Sequence, residues 1–252
     1  MDRDLDFYDF INNYSEDPDL YLDVPFVPTD DEVVQAMLDL GNVGPKDVLY
    51  DLGSGDGRIL VSAARDRNTR GIGVDIDPTR IAEAMEYAGF SGVEYLVDFL
   101  EEDLFDVDVS NATVVTLYLL QSINVQLRPR LLSQLRPGSR VISHAFDMGD
   151  WRPDEWLKLS GTNLFKWIVP AQIAGTWEWQ DTSGKSYRIE LQQKYQQITG
   201  NAWRDGKPMT WENAGLRGDT LTLTLREKPE ADDMEFTLIF RDKKLHSAEQ
   251  RT

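Results

Sequence analysis

A chain of 252 residues, 41% of them hydrophobic, can fill one large core or two modest ones. Its formal net charge of −18 argues against an unaided grip on a phosphate backbone, which needs clustered Lys and Arg; it suits a cationic partner or a solubilising acidic surface. The absence of cysteine excludes a disulfide framework, a thiolate nucleophile and a Cys-ligated zinc, and no metal site is expected.

The acid is unevenly placed. Residues 171–252 carry 13 acids and 12 bases, so the excess lies upstream. No charged-then-apolar leader and no run of about 18 apolar residues is found, which leads us to expect a cytoplasmic chain without a membrane span.

Residues 1–24 mix aspartates with aromatic and aliphatic residues, and the spacing of three between Leu5, Tyr8, Ile11 and Tyr14 permits one short amphipathic helix. A mobile acidic tail is the alternative. Val24-Pro25-Phe26-Val27-Pro28-Thr29 is held extended by its two prolines. Thr29 then precedes Asp30-Asp31-Glu32 and is the expected N-cap of a helix over 33–40.

Val48-Leu49-Tyr50-Asp51-Leu52-Gly53-Ser54-Gly55-Asp56-Gly57-Arg58 reads as strand, tight turn and helix entry. Glycine at alternate positions lets the turn reach positive φ and lets a ligand approach the backbone, and the helix beyond offers free N–H groups. The spacing is neither the Gly-x-Gly-x-x-Gly of dinucleotide sites nor a phosphate loop, which needs Gly-Lys-Ser/Thr. A second strand, Gly71-Ile72-Gly73-Val74-Asp75-Ile76-Asp77-Pro78, ends in a carboxylate. Asp75 follows Asp51 by 24 positions, near the ~20-residue spacing at which an acid meets ribose hydroxyls.

Asp51-Leu52-Gly53-Ser54-Gly55-Asp56-Gly57 followed by Val74-Asp75-Ile76-Asp77-Pro78 resembles the first two motifs of the class I, seven-strand, S-adenosylmethionine-dependent methyltransferases, over about residues 24–170. The Val-Pro-Phe-Val-Pro-Thr run ahead of them is similar to a subgroup of small bacterial enzymes and mitochondrial protein-lysine methyltransferases. The resemblance implies a Rossmann-like α/β fold and S-adenosyl-L-methionine as cofactor. It further implies that Phe26, Pro28 and Thr29 close over the methionine end, and that Asp51, Gly53, Ser54, Gly55 and Gly57 hold the amino-acid end. Asp75, with Ile76 beside it, would take the ribose. Asp103, with Leu104, would meet the adenine; Asp98 and Glu102 compete for that role because the local register is open.

Downstream, 81–88 reads as a helix and 93–97 as the third strand. The apolar run 112–120 reads as a central parallel strand covered on both faces. Its carboxyl end faces the ligand crevice of an open α/β sheet, which makes Tyr118 and Asn124 acceptor-side candidates, and Tyr118 a cofactor contact as well. The Asn/Asp-Pro-Pro-Tyr motif of many amine methyltransferases is absent, which speaks against adenine-N6 or glutamine acceptors. A helix over 127–135 leads to a fifth strand over 139–146. That strand carries His144, a residue type that in a strand is more often packed than catalytic but here lies near the crevice end. A hairpin over 156–169 closes this part, with Pro170 as the boundary.

From 174 onward, short alternating runs are separated by Ser183-Gly184, Asp205-Gly206, Arg217-Gly218-Asp219 and 229–233. They predict an antiparallel all-β accessory domain over 171–252, a small barrel or a curled sheet. It could serve substrate recognition or homodimerisation. The expected function is methyl transfer to a nitrogen or oxygen acceptor, with a protein lysine favoured by resemblance. A small metabolite under a β-domain lid, or a catalytically silent binding module, are the other readings.

Overall fold

The computed structural model of the chain describes residues 26–228 and 230–251. The acidic segment 1–24 and its expected helix lie outside the described residues. Contacts divide the chain into two units: Met1–Leu135 with Arg140–Trp167, and Arg136–Ser139 with Ile168–Thr252.

The first unit's elements run α1 (Asp31–Leu40), β1 (Val48–Leu52), α2 (Arg58–Arg67), β2 (Arg70–Asp75), α3 (Pro78–Phe90), β3 (Val97–Glu101), β4 (Val114–Leu117), α4 (Gln121–Gln134), β5 (Arg140–His144), β6 (Glu155–Leu159) and β7 (Thr162–Ile168). They form a seven-stranded sheet in the order β3-β2-β1-β4-β5-β7-β6. β1 pairs in parallel with β2 on one side and β4 on the other, so the strand order reverses there and a crevice opens at the carboxyl ends. β6 and β7 form an antiparallel hairpin. Its turn residues Ser160 and Gly161 sit at φ 48° and 87°, the left-handed pair that matches strand twist.

Every residue of β4 is buried, as expected of a strand covered on both faces. One core joins Val34, Met37 and Leu38 of α1, Leu60 and Val61 of α2 and Ala84 of α3 to Leu49, Phe99, Val114 and Ile142 of the sheet. At the amino ends of the strands, Asp47 accepts from the Thr113 hydroxyl (2.7 Å) and the Gly44 N–H (2.9 Å) and pairs with Arg140. Arg140 also donates to the carbonyls of Gly41 (2.9 Å) and Asn42 (3.1 Å).

Four local expectations shift. The N-cap of α1 is Asp30 rather than Thr29, because the Thr29 hydroxyl is drawn to His144 instead. The third strand begins at Val97, where the pattern predicts its end: Gly92 at φ 67° opens a turn over 91–96 that the apolar residues only fill. Helix α4 starts at Gln121, six residues early, and runs through Pro129. The fifth strand stops at His144, since Ala145 takes φ 65°.

The second unit is an antiparallel meander of β8 (Gly175–Gln180), β9 (Ser186–Lys194), β10 (Gln197–Arg204), β11 (Lys207–Arg217), β12 (Thr220–Arg226), β13 (Met234–Arg241) and β14 (Lys244–Arg251), each paired with the next. Its buried face includes Ile189, Leu221, Leu223, Leu225, Phe236 and Leu238. Trp177 and Trp179 of β8 meet Phe240 and Phe236 of β13 edge-on, at centroid distances of 5.0 and 5.6 Å. The first strand thus touches the sixth across the interior, and the sheet curls until nearly closed. β11 is far longer than the predicted run at 208–211, because a bulge between Trp211 and Asn213 breaks the alternation that the pattern needs.

Candidate active site

The carboxyl ends of β1, β2 and β4 bound a cleft that opens to solvent, at the place where open α/β sheets bind their ligands. The residues Gly53 to Gly57 form the turn between β1 and α2, with Gly55 at φ 53° and Gly57 at φ 76°. A Cβ on Gly55 would run into the Phe26 ring, and one on Gly57 would lie 2.7 Å from Phe99 and 2.9 Å from Ala84. Both positions need glycine twice over, for conformation and for space.

Asp51, one residue before the end of β1, is almost wholly buried, and its carboxylate accepts the Thr116 hydroxyl at 2.7 Å. Desolvation, which outweighs that bond, pushes its pKa up to about 7, with the charges of Asp75 and Asp56 adding to the rise. Asp75 braces the turn directly: one carboxylate oxygen accepts the Gly55 N–H (2.8 Å) and the other the Asp77 N–H (3.0 Å). Each oxygen keeps a lone pair for a ligand hydroxyl. Ser54 lines the cleft, and its hydroxyl is buried without a hydrogen-bond partner among the described residues.

The segment from Phe26 to Thr29 forms a third side of the cleft. Phe26 lies under the Arg80 guanidinium, 4.2 Å from ring centre to carbon. Arg58, paired with Asp56 at 2.6 Å, donates to the Thr29 carbonyl at 2.9 Å. The Thr29 hydroxyl lies 3.3 Å from His144 Nδ1. His144 in turn stacks on Tyr118, with ring centroids 3.8 Å apart. Burial holds the His144 imidazole below its ordinary pKa and raises the Tyr118 phenol, so both rings are neutral at pH 7.

Phe26, Pro28, Thr29, Asp51, Gly53, Ser54, Asp75, Ile76, Asp103, Leu104 and Tyr118 all line this one cleft. Of the three acids after β3, Asp103 lies on its wall and Asp98 and Glu102 do not. Gly55 and Gly57 shape the turn without forming the wall. Asn124 falls outside: it is fully buried in the first turn of α4, and its amide donates to Ser143 Oγ (3.2 Å) and the Phe146 and Asp147 carbonyls (3.2 and 3.3 Å). It fastens α4 to the loop after β5 instead of reaching an acceptor. His144 supports Tyr118 from behind and is likewise absent from the wall. Arg58 and Arg80 escape a reading of the sequence, since a lone arginine in a helix's first turn carries no pattern.

The ANTKMT methyltransferase domain matches residues 51–155. A protein-lysine N-methyltransferase of Saccharolobus islandicus is 43% identical over 142 residues, covering 56% of this chain and 88% of that protein. The chain belongs to the class I S-adenosylmethionine-dependent methyltransferase family. The mouse adenine nucleotide translocase lysine N-methyltransferase is 31% identical over 134 residues, and this chain spans 58% of its length. The crystal structure of an RNA methyltransferase from Salinibacter ruber with S-adenosyl-L-homocysteine is 52% identical, with a TM-score of 0.58, covering 58% of this chain and 96% of that one.

S-adenosylmethionine is the cofactor of this methyltransferase, and the residues present fit it. The turn is built of glycines packed too closely against Leu119, Phe26 and Phe99 to admit a Cβ, which leaves its backbone bare beside the cleft. The Ser54 hydroxyl has no partner among the described residues, and acids stand near the ends of β1 and β2. Among the described residues no group of His, Asp or Glu is placed to hold a metal, and no helix is long and apolar enough to cross a membrane.

Proposed function

We propose that this methyltransferase acts on a lysine amine of a protein. The observation that carries the reading is the 43% identity to a protein-lysine N-methyltransferase across most of that protein's length. The cleft's chemistry supports it: acids supply the negative field, and neutral Tyr118, backed by His144, supplies a desolvated patch of wall. When bound, the cofactor supplies an electrophilic methyl group on a sulfonium. The acceptor lysine must pass its ammonium proton to water and arrive as the neutral amine, with its lone pair aimed at that methyl group. No covalent enzyme group is needed, so the chain's own contribution is orientation and exclusion of water.

We assign the cofactor's ammonium to Asp51, its carboxylate end to the turn at Gly53, Ser54 and Gly55, the ribose to Asp75 with Ile76 beside it, and the adenine side to Asp103 and Leu104. Phe26, Pro28 and Thr29 cover the methionine end. Residues 171–252 serve as an accessory domain for acceptor recognition or pairing of two copies.

Similarity to the Salinibacter RNA methyltransferase favours a second reading, an RNA acceptor. The charge of −18 opposes it, because a phosphate backbone approaching this cleft would meet acids on its walls. A cytoplasmic setting belongs to our reading, since the cysteine-free chain has no disulfide framework tying it to an oxidising compartment.

Calorimetric titration with S-adenosyl-L-homocysteine tests the assignment. Binding in the micromolar range, weakened more than about tenfold in Asp75→Ala, is expected. Equal affinity in the two proteins would remove Asp75 from the site.

A further inference from the structure

Asp30 is the N-cap of α1, the position where aspartate ordinarily turns its carboxylate onto the free N–H groups of the first turn. Here it does not: its side chain makes no capping bond, and among the described residues that carboxylate takes no hydrogen bond or ion pair. The residue before it is fixed from two sides. The Thr29 carbonyl accepts from Arg58, and its hydroxyl lies against His144. Asp30 is therefore held, exposed and unengaged, at the rim of the cleft next to the wall residue Thr29. Its charge reaches the wall residue Tyr118 and the His144 ring stacked on it, raising the Tyr118 phenol and opposing the fall of the His144 imidazole.

The Asp30 carboxylate is thus not spent on the helix it begins. A lone carboxylate beside a neutral aromatic ring on the cleft wall is what a primary alkylammonium group requires: a counter-charge at the entrance and a π-face along the path where water is shed. We propose that Asp30 and Tyr118, the latter braced from behind by His144, form the seat that recognises the ammonium end of the acceptor lysine. This deepens the reading of the cleft as a lysine methyltransferase site and rests on it. The seat binds and orients; it makes and breaks no bond. Asp31, the next acid along, is the natural control, because it lies in the first turn of α1 and acts electrostatically on Arg58.

The test uses the full chain saturated with S-adenosyl-L-homocysteine and titrated with n-butylammonium, a mimic of the lysine side-chain end, and with uncharged n-butanol. Binding is followed by the imidazole NMR signals of His144, with His246 as internal reference. Butylammonium should shift the His144 signals and butanol should not. Asp30→Asn should weaken the ammonium about tenfold or more, leave the homocysteine affinity within about twofold, and be matched by no such loss in Asp31→Asn. Unmoved His144 signals, or equal butylammonium affinity in Asp30→Asn, would overturn the seat while leaving the cofactor site intact. Failure of the chain to bind S-adenosyl-L-homocysteine at all would instead overturn the reading on which the seat rests.

Discussion

The Thr116 hydroxyl on β4 donates to the Asp51 carboxylate near the end of β1 across 2.7 Å, joining the two strands between which the sheet reverses its order. This bond favours the ionised acid in a place where burial favours the neutral one. Thr116→Val, similar in volume, removes the donor and should lift the Asp51 pKa further above about 7. Affinity for S-adenosyl-L-homocysteine at pH 7 should then fall about three- to tenfold. Calorimetry of the two proteins at that pH checks it.

The same acid sets a pH dependence. In the free chain Asp51 is protonated below about pH 7, whereas a cationic ligand ammonium needs it ionised, so binding expels a proton there. Affinity should rise by up to about tenfold per pH unit toward 7 and level off above. In Asp51→Asn the profile should be weak and flat across that range. The sign for folding is opposite to that of an ordinary carboxylate. Its raised native pKa gives stability that is present below about pH 4 and lost as pH rises through about 7, so unliganded Asp51→Asn should be more stable than wild type above about pH 7. Denaturant melts at about pH 5 and about pH 8 give the comparison.

At Gly55, an alanine would carry a Cβ into the Phe26 ring while holding φ 53°. Gly55→Ala should destabilise the fold by about 1–2 kcal/mol and abolish measurable cofactor binding. Adding Phe26→Ala should recover part of the stability but not the binding, because it removes the ring that lines the cleft. Thermal melts with and without S-adenosyl-L-homocysteine separate the two effects.

Stability away from the cleft rests partly on Arg140, which joins β5 to Asp47 and to the carbonyls of Gly41 and Asn42. Arg140→Met leaves Asp47 partly buried without its cation and should cost about 2–4 kcal/mol. The ligand affinity of the folded fraction should not change. Urea unfolding followed by tryptophan fluorescence measures the loss.

What the sequence discloses is local. The turn from Gly53 to Gly57 and the acid at Asp75 are legible because glycine spacing and a strand-ending carboxylate are short-range signals with one physical cause. The third strand lies four residues beyond its expected start because Val93 and Val97 satisfy a strand pattern equally well, and only the turn at Gly92 decides between them. Asn124 reads as ligand-facing because the start of α4 has no capping residue to announce it; Leu120 is its N-cap. The roles of Thr29, Asp30, Arg58 and Arg80 depend on contacts between residues far apart in the chain, which no periodicity encodes. In the second unit, alternation exposes the strands of the meander, and the bulge in β11 hides most of that one.

The most direct measurement is the chemical identity of the product. The purified chain is incubated with methyl-labelled S-adenosylmethionine and cell extract, and the labelled macromolecules are hydrolysed and separated. Label recovered as Nε-methyllysine from the protein fraction, and lost in Asp51→Asn, is the result expected here. Label recovered in methylated nucleosides, with none in lysine, would contradict a lysine acceptor.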